Sequence, residues 1–76
     1  MPHVIVKMLS GRSEPQKALI AEAITKAVMA TANCGEDAVS VGIEDIEANN
    51  WTEGVYKPDI ADRWGTLYKK PGYDPR

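Results

Sequence analysis

At 76 residues, with 9 Lys and Arg against 11 Asp and Glu and a net charge of −2, the sequence has room for a single domain, 1–76, and offers no basic footprint for nucleic acid. Cys34 is the only cysteine and His3 the only histidine, which excludes a disulfide staple and a Cys/His metal site; no metal or cofactor is implied, and homo-oligomerisation is left as the way so short a chain completes its core. No apolar run approaches membrane-spanning length, the opening MPHVIVKM lacks the features of a signal peptide, and the lone thiol suits a reducing compartment, so a soluble, cytoplasmic protein without a membrane partner is expected.

From His3 to Leu9, HVIVKML is rich in β-branched residues. Val4, Val6 and Met8 fall on one face and His3, Ile5, Lys7 and Leu9 on the other, the alternation of a strand that begins at the second residue of the chain. A terminus tied into a sheet does not fray, so a group placed there can be held in position. Ser13 then reads as an N-cap, Gln16 completes a capping box, and Pro15 sits in the first turn, where its missing N–H costs little. Leu19, Ile20, Ala23, Ile24, Ala27 and Val28 recur at helical spacing out to about Ala32, and Gly35 is the expected left-handed stop.

Val39, Val41 and Ile43 alternate with Ser40, Gly42 and Glu44, predicting a second strand over about Ala38 to Asp45. Strand, long helix and strand make a βαβ unit with parallel strands and a right-handed crossover. Glu47 to Tyr56 reads as a loop. Pro58 is expected to open a short second helix whose stripe is Ile60, Trp64, Leu67 and Tyr68, ended by Pro71-Gly72. The fold class expected is α+β: a two-layer β-α-β unit with a short C-terminal helix, the open face of its sheet completed by another subunit.

Familiar catalytic constellations are missing; the unusual residue is Pro2. Initiator methionine is normally removed when the next residue is small, and removal would bare a secondary amine in a rigid ring. On an apolar strand and beside a cation its charged form is disfavoured, which yields a base that is neutral near pH 7. With Met1 retained, the same nitrogen is an amide and no base at all.

Pro2, the strand behind it and the run Leu9-Ser10-Gly11-Arg12-Ser13-Glu14-Pro15-Gln16-Lys17 closely resemble the opening of the 4-oxalocrotonate tautomerase family, and the likeness extends through the βαβ unit to Trp51. The closing KKPGY is similar to small bacterial members related to phenylpyruvate tautomerase. The resemblance implies an isomerase in which Pro2 is the catalytic general acid and base for keto–enol proton transfer on a small carboxylate substrate, a 2-keto acid or its enol. It implies that Arg12 holds the substrate carboxylate, a task suited to a planar guanidinium, and that Trp51 walls the proline's pocket.

One position departs from the family's best-known pattern. Where a second arginine is expected, alignment through Val39-Ser40-Val41 places Ser40. A hydroxyl supplies one hydrogen bond and no charge, so Ser40 as a substrate-binding residue favours a monocarboxylate such as phenylenolpyruvate over a dicarboxylate. Two alternatives accompany this reading. One is a dehalogenase or hydratase on the same fold, with Glu44 or Asp45 positioning water; the other is a non-catalytic oligomeric binder of small acids. Family members form dimers or hexamers, and a helical tail in place of a β-hairpin favours the homodimer.

Overall fold

The structure, a computed structural model, describes all residues from Met1 to Arg76. Strand β1 (His3–Leu9) is followed by helix α1 (Glu14–Ala32), strand β2 (Ser40–Ile46) and a ten-residue helix, α2 (Thr52–Ala61). Single helical turns lie at Glu36–Ala38, Ala48–Asn50 and Trp64–Thr66. The two strands are parallel, with His3 opposite Ser40 and Leu9 opposite Ile46. The βαβ unit expected from hydrophobic periodicity is therefore present, with β2 displaced about two residues from its predicted start because Glu36–Ala38 coils into a turn.

Helix α1 begins as its sequence dictates. The Ser13 hydroxyl accepts from Gln16 N and the Gln16 side chain accepts from Ser13 N, each at 3.2 Å, which satisfies two N–H groups the helix itself leaves unpaired. Its stop differs from expectation: Asn33, not Gly35, takes the left-handed conformation (φ 55°). Asparagine is among the few residues that tolerate that region. The inward face also differs, because Ile20, Ala21, Ile24, Thr25, Val28 and Met29 are half-buried while Leu19, Ala23 and Ala27 are exposed.

In the parallel register, the strand face of Val4, Val6 and Met8 continues into Val41, Ile43 and Asp45. Helix α1 covers this face, and Lys17 reaches Asp45 at 2.8 Å across the seam. The opposite face carries His3, Ile5, Lys7 and Leu9, and here the structure corrects two expectations. Glu47 to Tyr56 is not a loop: a helical turn at Ala48–Asn50 leads into α2, and Pro58 lies inside that helix instead of opening it. The helix is wound wide, with Asp62 N donating to Lys57 O five residues back; in a tighter α-helix the Pro58 ring would meet the carbonyl four residues before it. Beyond Asp62 the predicted helix reduces to the single turn at Trp64–Thr66.

Helix α2 lies over the second sheet face, where Lys7 and Asp59 form an ion pair at 2.5 Å. That hydrogen bond, more than the attraction of Asp59 and Glu44, holds the Lys7 ammonium above its ordinary pKa. Val55 and Tyr56 of α2 are the only buried residues in the chain, at 4% and 2% exposure. Ile5 (57%) and Leu9 (44%) stay exposed on the same face, so α2 shields it only in part. No helix is long and apolar enough to cross a membrane.

Candidate active site

Pro2 is half-buried at the head of the sheet. Its carbonyl accepts from Ser40 N at 3.2 Å, and the Met1 amine donates to Ala38 O. The bond to the Pro2 carbonyl continues the parallel ladder and holds the ring at the strand's head. Met1 itself is fully exposed. Ser40 faces His3 across the ladder, and its Oγ lies 2.6 Å from His3 Nδ1. The hydroxyl aligned with the missing arginine is thus engaged by an imidazole one residue from Pro2.

Arg12 and Trp51 lie at the other end. Gly11, at φ 126°, makes a turn that side-chain-bearing residues rarely adopt, and it delivers Arg12 to solvent beside the end of β1. The Arg12 Nη1 donates to Leu9 O at 3.3 Å, and the guanidinium forms no ion pair. Most of its donors remain open to a carboxylate. This end is closed by Ser10 N donating to Ile46 O at 3.0 Å and Ser10 Oγ donating to Glu47 at 3.1 Å. Nearby a cavity of about 380 Å³ is lined by Leu9, Ala48, Trp51, Thr52, Tyr73 and Pro75. Within one chain, then, the four residues singled out by sequence form two groups. Pro2 and Ser40 meet at one end of β1; Arg12 and Trp51 lie at the other, roughly 20 Å away along a seven-residue strand.

Tyr73 escaped the sequence reading altogether. Its phenolic oxygen accepts from Trp51 Nε1 at 2.9 Å, and its ring packs on Tyr56 at 5.6 Å with planes tilted by 54°. The only signal was its place in the closing KKPGY, which carried a resemblance and no chemistry. Of the two carboxylates considered for positioning water, Asp45 is occupied by Lys17 on the α1 face, and Glu44 is exposed.

The family profile described as tautomerase enzyme matches residues 2–59, most of the chain, and opens on Pro2. A probable tautomerase of Xylella fastidiosa is 41% identical over 73 residues, covering 96% of this chain and 89% of the relative. Tautomerase PptA of Pectobacterium carotovorum is 36% identical over 74 residues, covering 96% and 97%. Among solved structures, a 4-oxalocrotonate tautomerase isozyme from Methylibium petroleiphilum superposes with a TM-score of 0.65 at 32% identity, over 70% of this chain and 86% of that one. Fold, sequence and these relatives agree: the chain belongs to the tautomerase family, and its relatives support an isomerase function.

Proposed function

We propose that this protein is a keto–enol tautomerase of small 2-keto acids, working through the nitrogen of Pro2 once Met1 has been removed. The observation that carries the reading is the bond from Ser40 N to the Pro2 carbonyl, which anchors Pro2 at the head of β1 and does not depend on Met1, in a chain whose family match begins at that residue. The neutral amine takes the proton of the enol hydroxyl, and the resulting ammonium returns a proton to the adjacent carbon as the carbonyl forms. Protons balance over the cycle, and the ring's rigidity keeps the lone pair aimed.

The separation of Pro2 from Arg12 along β1 supports a second element of the proposal. One chain cannot bring both to one substrate, so the site joins Pro2 of one copy to Arg12 and Trp51 of another, in a homodimer. The scarcity of buried residues in the single chain and its exposed Ile5 and Leu9 fit such an assembly. Arg12 receives the carboxylate by paired charge-assisted hydrogen bonds. Ser40, already partnered by His3, adds no charge, which favours a monocarboxylate such as phenylenolpyruvate.

The test is ketonisation of phenylenolpyruvate followed against pH, using protein whose mature terminus has been verified as proline by mass. A basic limb near neutrality is expected. Pro2→Ala should lower kcat by about 10² to 10⁴, the usual range for a lost general acid–base group, with the sedimentation mass unchanged. Undiminished turnover in Pro2→Ala would overturn the mechanism.

A further inference from the structure

We propose that Tyr73, on the C-terminal strap, determines specificity for aromatic substrates by forming one wall of the pocket that receives the substrate's aryl group. This rests on the 2-keto acid reading above and adds a residue to it. The cavity beside Trp51 and Leu9 has a volume of about 380 Å³, ample for one aromatic ring. Arg12 bonds to the carbonyl of Leu9, itself a lining residue, so a carboxylate on Arg12 leaves the rest of a short acid close to this apolar hollow.

Tyr73 is built into the wall from three directions. The Trp51 indole N–H donates to its phenolic oxygen at 2.9 Å. The Tyr56 hydroxyl donates to its backbone carbonyl at 3.4 Å, and the buried Tyr56 ring supports its own. Beyond it Arg76, paired with Asp74 of the same segment at 2.9 Å, lies over the Tyr56 ring at 5.2 Å. An aromatic side chain held on both ring and backbone presents area without losing rotamer freedom when a ligand arrives. Tyr73 remains 48% exposed, which leaves surface for a ligand ring to cover. Its phenolic proton has no partner, and the preferred offset or tilted contacts between rings favour an aryl group over an alkyl chain.

The experiment is calorimetric binding of phenylpyruvate and of pyruvate to the full chain with a verified proline terminus. The wild type should bind phenylpyruvate more tightly, and both Tyr73→Ala and Tyr73→Leu should reduce that preference about tenfold, the scale of a lost aromatic pair with its buried area. Leucine retains apolar bulk, so it tests the ring even if the alanine variant were to loosen the strap. Equal preference in the wild type and Tyr73→Leu, or no preference in the wild type, would overturn the inference. Pro2→Ala should bind with the wild-type preference while losing turnover. An aryl preference in a protein that ketonises nothing would defeat the catalytic reading and leave the role of Tyr73 standing.

Discussion

In the proposed site, position 40 is the one that sets how much negative charge a substrate can carry. Ser40 brings a hydroxyl already held by His3 at 2.6 Å, where a guanidinium would bring a full charge and a bidentate fork. Ser40→Arg is therefore expected to raise turnover of a dicarboxylate such as 2-hydroxymuconate at least tenfold relative to phenylenolpyruvate, the scale of one added charge-assisted hydrogen bond. A substrate ratio unmoved by the substitution would remove Ser40 from the binding site. Arg12 is proposed to bear the remaining charge of recognition. Truncating it to alanine should lower kcat/KM by about 10 to 100-fold, the effect of losing a charged hydrogen bond, mostly through KM. Lysine should restore only part of that, since it cannot form the paired geometry. Both residues were singled out by the family resemblance; the Gly-Arg-Ser turn and the alternating strand fix only their places in the fold. Tyr73 was not, because Trp51, 22 residues earlier in the chain, meets it only after the tail has folded back.

Among the elements, α1 draws stability from its own sequence and α2 from what it covers. Removal of the Ser13 hydroxyl breaks one arm of the capping box, so Ser13→Ala should cost roughly 1 kcal/mol, seen as a lower urea midpoint with an unchanged slope. Helix α2 contains Gly54 and Pro58, both poor helix formers. It persists because Val55 and Tyr56 are buried and Asp59 meets Lys7 across the sheet. The raised pKa of Lys7 means that this pair's contribution is fully present below the ordinary lysine range and is lost as pH rises through it. Asp59→Asn should accordingly flatten the alkaline limb of a stability-against-pH curve. The tail responds at the other extreme. Hydrogen bonds from Arg76 hold Asp74 down to about pKa 2, so the contribution of this pair is present above the ordinary carboxylate range and fades as pH falls toward 2. Carboxyl chemical shifts followed against pH should place the Asp74 midpoint near 2, and Arg76→Ala should return it toward the ordinary carboxylate range.

At the scale of the molecule, the proposed site shared between chains calls for two copies. Sedimentation should give a mass of two subunits. Pro2→Ala and Arg12→Ala proteins, each strongly impaired at substrate concentrations below KM, should recover about a quarter of wild-type kcat/KM when unfolded and refolded together, because half of randomly paired dimers are mixed and each mixed dimer keeps one of its two sites intact. No recovery would place Pro2 and Arg12 in a site made by one chain. The sequence by itself determined the strand-helix-strand unit and its parallel pairing, because periodicity, capping and turn chemistry act between residues a few positions apart, and it pointed to the family through the resemblance of its opening run. The tertiary structure alone decided where α2 begins, that it lies on the second sheet face, and that Tyr73 joins Trp51. Those outcomes depend on contacts between distant segments, where burial and side-chain pairing outweigh the local preferences of Gly54 and Pro58.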